Sequence, residues 1–215
     1  MKVELIESAG GDLSIVNSAR VSFDKESEYV DGTLDERDAK LVNYLAKHQH
    51  MTPFRHNFIQ LRCSVPLFLA RQLMKHQAGL TWNEVSRRYV DDIPEFHYPT
   101  EWRSRPDKSI KQGSGGVHEK SEAFKVSYED IVNKAKELYE TMVNEGVAPE
   151  MARMVLPQSM MVDFIWTGNL LAFSHVYNLR AGEGAQEEAR EFAELLDKAI
   201  APVFPVGWEC LKNVK

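Results

Sequence analysis

Cysteine is scarce in this chain, with only Cys63 and Cys210 among 215 residues. They form no CxxC and no metal spacing, which excludes a disulfide scaffold and a zinc ribbon. A reducing, cytoplasmic setting is expected. No run of about 18 apolar residues occurs, so no membrane span is expected. The start, MKVELIESAGG, has no long apolar segment and is expected not to be a secretory signal. Basic excess is also missing. The net charge is −6, which argues against a general nucleic-acid binder. There is no GxGxxG. Gly113-Ser114-Gly115-Gly116 is no phosphate loop, because no strand pattern precedes it and no Gly-Lys-Ser/Thr ends it. No internal repeat is visible.

What remains is an ordinary globular composition, 43% hydrophobic and 27% charged. One domain over 1–215 is expected, with a core of real size. The patterns predict mixed α and β structure, helices dominant around a small sheet. Lys2 to Ile6 reads as a strand, and Asp12 as the cap of a helix reaching Ala19. Leu34 to Ala46 has helical spacing, and Asn57 to Val65 alternates as a strand does. Pro66 suits the first turn of a helix that ends near His76 or Gln77, before Gly79. Pro99 to Gly116 reads as a surface loop, expected to be mobile to about residue 120. Phe124, Tyr128, Ile131, Ala135, Leu138 and Met142 predict a strongly amphipathic helix that Gly146 closes. A short helix from Pro149 to Pro157 and a strand from Gln158 to Thr167 follow. Asn169 is placed to cap a helix to Arg180, and 185–200 reads as the last helix.

The densest chemistry lies in Arg71 to Tyr89, RQLMKHQAGLTWNEVSRRY. Charge-rich segments usually form solvated faces. Here the polar residues do not keep to one helical face, and Trp82, Val85 and Tyr89 tether the stretch to a core. Arg and Ser suit phosphate oxygens, Arg through a planar donor fork. A carboxylate such as Glu84 repels phosphate but suits a ribose hydroxyl. The set points to a nucleotide site.

The same residues resemble the signature of the flavin-dependent thymidylate synthases. That signature is Arg-His-Arg, seven residues, then Ser, often ending Asn-Glu-x-Ser-x-Arg-Tyr. This chain has Lys75-His76-Gln77, eight residues, then Ser86, and its tail Asn83 to Tyr89 matches closely. Further blocks are similar to the family's and keep its order. They are Ala19-Arg20-Val21-Ser22-Phe23, His50-Met51-Thr52-Pro53-Phe54-Arg55-His56, Ala70-Arg71-Gln72, Ala152 to Pro157, Asn178-Leu179-Arg180 and Ala185-Gln186. Arg55 stands where Glu is usual, and Gly184 where the family has His.

The resemblance implies a compact α/β fold and a homotetramer whose active sites lie between subunits. It implies reductive methylation of dUMP to dTMP, with methylenetetrahydrofolate as carbon donor and FAD reduced by NADPH. By resemblance the dUMP phosphate falls to Ser86, Arg88, the amide of Arg87, Gln72 and Arg153, the last two from a neighbouring subunit. Glu84 would meet the ribose, and Arg180 the uracil oxygens as the catalytic cation. Ser22, Thr52, Lys75, His76, Gln77, Asn83, Glu84, Asn169, His175 and Leu179 would meet FAD. His50 would lie on the folate or NADPH side.

Plainer readings stand beside these. An isolated His such as His76 is often a satisfied structural residue, and Arg180 could serve only a helix end. His48, His50 and His56 suggest a metal, yet no Cys or Asp completes a set, so none is expected. Ser86 has no base partner and is not read as a nucleophile. Cys63 sits in an alternating apolar run and reads as packing, not as the attacking thiol of the ordinary thymidylate synthase. Trp82, Tyr89 and Phe54 read first as core residues. Two other functions remain open: a non-catalytic nucleotide- or flavin-binding relative, and a folate/FAD enzyme that methylates uracil in RNA.

Overall fold

The computed structural model describes residues 1–106 and 113–212. In chain order the elements are β1 (Lys2–Ala9), α1 (Asp12–Arg20), α2 (Glu36–Lys47), β2 (Phe58–Pro66), α3 (Leu67–Leu73), β3 (Leu80–Glu84), α4 (Ser121–Asn144), α5 (Pro149–Ala152), β4 (Met161–Gly168), α6 (Leu170–Arg180), α7 (Glu187–Ile200) and α8 (Pro205–Leu211). The strands form one antiparallel sheet in the order β1-β2-β4-β3. The fold is thus α+β, helices around a small sheet.

Alternation builds the centre of this sheet. Ile59, Leu61, Cys63 and Val65 of β2 face the core, as do Val162, Phe164 and Trp166 of β4. The register sets them opposite one another: Leu61 with Trp166, Cys63 with Phe164, Val65 with Val162. Trp166 then meets Phe173 of α6 and Phe192 of α7, with ring centroids 5.4 and 6.3 Å away. α6 is buried almost all round because α7 and α8 pack against it. Its first turn carries two asparagine caps: Asn169 Oδ1 accepts from Ala172 N at 2.9 Å, and Asn57 Oδ1 from Leu170 N at 2.7 Å.

Two expectations need correction, and two elements are additional. Asp12 does not cap its own helix. Its buried carboxylate accepts from the amides of Val206 and Gly207 at 2.7 and 2.8 Å, so it caps α8. α8 itself was not read from the sequence. α3 stops at Leu73, and the chain turns before His76. The polar signature then forms β3, an edge strand where only Leu80 and Trp82 lean inward. Gly79 makes this turn possible. Its φ is +74°, and a Cβ there would stand 3.1 Å from Asn169 Nδ2 and 3.2 Å from Ala172 Cβ. β3 is thereby held close to the start of α6.

α4 has 24 residues and runs about 36 Å. Gly146, at φ +84°, follows its end as expected. The expected stripe is only partly covered: Phe124, Ile131 and Leu138 stay exposed, while Val132 and Tyr139 are buried. The middle of the expected loop, 107–112, lies outside the described residues. Its flanks are tied, with Ser104 N donating to Gly116 O at 2.8 Å and Arg103 bridged to Val117.

Candidate active site

The end of β3 leads directly into a cleft of about 510 Å³. Val85 N still donates to Asp163 O at 2.9 Å, which fixes the chain as it leaves the sheet. A tight turn follows, with Tyr89 N and Val90 N both donating to Ser86 O. Glu84, Ser86, Arg87, Arg88 and Arg153 line the cleft together with apolar Leu67, Met154 and Leu156. Ser86 Oγ accepts from Arg88 Nε at 3.2 Å. Arg87 turns its side chain away and donates to the Asp92 carbonyl at 2.6 Å and its carboxylate at 3.0 Å. That leaves Arg88 and Arg153, neither in an ion pair among the described residues, as the cleft's free cations. Arg153 reaches it within the same chain. Desolvation raises the Glu84 carboxyl, although the residue stays open to the cleft.

A second cavity, about 300 Å³, opens along β3 on the side of Leu80 and Trp82. Met74, His76, Gln77, Leu80, Trp82 and Trp166 line it. Trp82 stacks on Phe164 at 3.4 Å between centroids, so its indole is a rigid wall. Burial, then the charges of Arg180 and His175, push His76 down to about 4. The ring is therefore neutral at pH 7. His76 Nε2 and Arg180 Nε are buried and lack hydrogen-bond partners among the described residues, while the Trp82 side chain lies within reach of the Glu84 carboxyl. Arg180 Nη2 donates to the Gln72 carbonyl at 3.1 Å, and Gln72 Nε2 to Gln186 Oε1 at 2.8 Å. Burial lowers Arg180, which as a guanidinium still stays charged.

The sequence over residues 4–206 matches a family profile described as thymidylate synthase complementing protein. The chain belongs to this family, the flavin-dependent thymidylate synthases. It is 36% identical to the flavin-dependent thymidylate synthase of Kosmotoga olearia, covering 98% of this chain and 90% of that one. It is 32% identical to the protein of that name from Thermus thermophilus, with 98% and 75% covered. Its fold is similar to that of a UMP/dUMP methylase, PolB from Streptomyces cacaoi, solved with 5-Br dUMP. The TM-score is 0.84 at 30% identity, over 97% of this chain and 93% of that one. A second structure of PolB holds 5-Br UMP.

With the family established, the placement of each expected site residue is informative. Glu84, Ser86, Arg87, Arg88 and Arg153 converge on the first cleft. His76 and Gln77 line the second cavity, with Arg180 and His175 near His76. His175 also lines a small space with Met51, beside Thr52. His50 packs its ring near Tyr44, 6.1 Å away. Lys75 and Leu179 are exposed at the rims. Asn83 points to the face of β3 opposite Trp82, and Ser22 lines none of these cavities. Asn169 spends its oxygen on the helix cap. Gln72 lies with Arg180, not in the first cleft. Phe54 is fully buried, Trp82 is wall and core at once, and Tyr89 is largely exposed. Burial pushes the Cys63 thiol up, so it is no thiolate at neutral pH.

Trp166 as a cavity wall and Gln186 as a partner of Gln72 were missed as site residues. Also missed was a third cavity of about 430 Å³, lined by Phe68, Trp102 and Tyr128 and bounded by Gln186 and Glu188. The Ala185-Gln186 block marked Gln186 only as a family match without a partner, while Trp166 and the third cavity carry no local signal, because each depends on packing between distant segments.

Proposed function

We propose that the protein converts dUMP, methylenetetrahydrofolate, NADPH and a proton to dTMP, tetrahydrofolate and NADP⁺. The observation that carries this reading is the first cleft: two free guanidiniums, a serine hydroxyl and one open carboxylate on a rigid turn, in a chain of this family. Ser86, Arg88, Arg153 and the Arg87 amide hold the phosphate dianion. Glu84 accepts from the ribose 3′-hydroxyl. Arg180 faces the uracil oxygens and stabilises the negative charge that develops as C5 attacks the one-carbon unit. Gln72 joins them from the Arg180 side.

The second cavity, about 300 Å³, suits the flavin ring of FAD, and the rest of the cofactor would extend out of it. Its wall is a fixed indole, and the buried nitrogens of His76 and Arg180 lack partners among the described residues, which a ring with carbonyls and ring nitrogens would supply. When bound, it supplies hydride transfer between NADPH and the pyrimidine. Ser22, Thr52, Lys75, Gln77, Asn83, Asn169, His175 and Leu179 would complete its binding, with His50 on the folate or NADPH side. The Lys75-His76-Gln77 departure has a cost here. Lys75 lacks the planar fork, and Gln77 lacks a charge. The double change Lys75→Arg plus Gln77→Arg is expected to tighten FAD about tenfold, since a bond to a charged group is worth about 1.5–3 kcal/mol. Flavin fluorescence titration checks this. Weaker binding by the double variant would mean that the extra residue before Ser86 has rebuilt the pocket.

We also assign a homotetramer with shared sites, in the cytoplasm. Val21, Phe23, Tyr89, Met154 and Leu179 are 60–77% exposed in one chain. Each directly adjoins an expected site residue: Ser22, Arg88, Arg153 or Arg180. Apolar rims of this kind mark surfaces that another chain covers. The exposed stripe on α4 is a further such surface. The phosphate cleft and the Arg180 cluster lie in separate cavities of one chain, an arrangement that a neighbour's cluster beside each cleft would complete. Sedimentation velocity is expected to give a tetramer, and an active monomer would contradict this.

The test of the activity is NADPH oxidation with and without dUMP. Dependence on dUMP supports turnover, whereas oxidation indifferent to dUMP favours a non-catalytic relative.

A further inference from the structure

We infer that Gln186 is a positioning residue that sets the guanidinium of Arg180 through Gln72. The inference rests on the role proposed for Arg180. The only hydrogen bond from that guanidinium among the described residues is to the Gln72 carbonyl, at 3.1 Å, and its Nε is buried without one. Gln72 stands in the last turn of α3, a helix of seven residues that ends in an open turn. Its side chain is held from the other direction by Gln186 Oε1 at 2.8 Å, across 114 residues of sequence.

Gln186 is itself fixed. It is the N-cap of α7, and its carbonyl accepts from Ala189 N at 2.9 Å and Arg190 N at 3.1 Å. The first turn of α7 is anchored in turn by Arg103, whose guanidinium meets Glu188 at 2.6 Å and Glu187 at 3.2 Å. Glu188 is buried, so this anchor is more than a surface pair. The contacts form one line from Arg103 through the start of α7 to Gln186, Gln72 and Arg180. Removing the Gln186 side-chain amide leaves the charge of Arg180 in place, frees the Gln72 side chain and loses a contact to Glu188, which Arg103 still holds. A displacement of about 1 Å at a reacting group can cost about a hundredfold in rate.

The test compares Gln186→Met, which keeps length but has no oxygen, with Gln186→Glu, which keeps an acceptor. Gln186→Met is expected to lower kcat for dTMP by about tenfold or more, with FAD absorbance and melting temperature nearly unchanged and any rise in KM for dUMP smaller than the fall in kcat, since the Gln72 side chain is released as well. Gln186→Glu is expected to recover kcat only in part, because its carboxylate accepts the Gln72 amide but stands beside that of Glu188, which the Gln186 side chain also meets. A purely structural role would instead lower the melting temperature and leave kcat per folded enzyme intact. Unchanged kcat in Gln186→Met overturns the inference. Crystal structures of the natural chain and Gln186→Met give a reading that needs no activity. The Arg180–Gln72 bond is expected to be lost in the variant, and its persistence at the natural distance overturns the inference. Absence of dTMP from the natural chain would count against the functional reading alone.

Discussion

Arg180→Ala is expected to lower dTMP formation by about 10²–10³-fold while FAD stays bound. Arg180 is the one cation near His76 and Gln72 that is half-buried and lightly bonded. A charge held in such a place needs no reorganisation when negative charge develops on the substrate. Removing one preorganised donor of this kind costs about 2.7–4 kcal/mol at the transition state. In the proposed site FAD would also meet His76, Gln77 and the Trp82 wall, so its absorbance should survive. Rapid-quench measurement of dTMP with the flavin pre-reduced isolates the step. Near-normal dTMP formation by Arg180→Ala would move the uracil pocket elsewhere.

Arg20→Ala is expected to cost about 3–5 kcal/mol of stability at pH 7, a large share of the usual 5–15. Arg20 ends α1, and its guanidinium donates to the buried carboxylate of Asp38 in α2 through both Nη2 and Nε. The variant would strand that carboxylate. Burial alone would raise Asp38, but hydrogen bonds from Arg20 and Ser27 and the charges of Arg20 and Arg37 outweigh it, and the carboxyl sits below its ordinary value. The sign follows. The unfolded chain takes up this proton at higher pH than the folded one. The stabilisation is full above the ordinary carboxylate value, about 4, and is lost as pH falls through the folded value. The gap between natural chain and variant should therefore shrink on acidification. Urea unfolding at matched concentration measures it. A variant as stable as the natural chain at pH 7 would refute the account of how Ser22's segment is held.

Much of this fold was legible because the central strands obey a simple alternation. Ile59 to Val65 and Met160 to Trp166 announce β2 and β4, and they pair with each other. β3 was not legible for a physical reason. As an edge strand it needs only Leu80 and Trp82 inside, and its other positions, Thr81, Asn83 and Glu84, are polar and exposed. α8 was hidden because its cap, Asp12, lies 194 residues upstream of Val206. Gly207 looks unhelical in sequence, yet a Cβ there would stand 2.6 Å from Ile15 Cδ1. The stripe on α4 was read correctly as a period, but one chain alone does not cover it. In the site, the run from Glu84 to Arg88 shares one turn and was readable as a unit. Gln186 was not, because its meaning arises only where α3, α6 and α7 meet. Nor does any sequence feature tell that His76 is held neutral by burial beside Arg180.

The central claim is the transfer of a one-carbon unit to dUMP by this cleft. The direct test is incubation of the purified protein with FAD, NADPH, dUMP and methylenetetrahydrofolate labelled in the methylene carbon, with nucleotides analysed by mass spectrometry. The expected product is dTMP carrying the label in its methyl group, equal in amount to the NADPH consumed. NADPH consumption without labelled dTMP would contradict the claim.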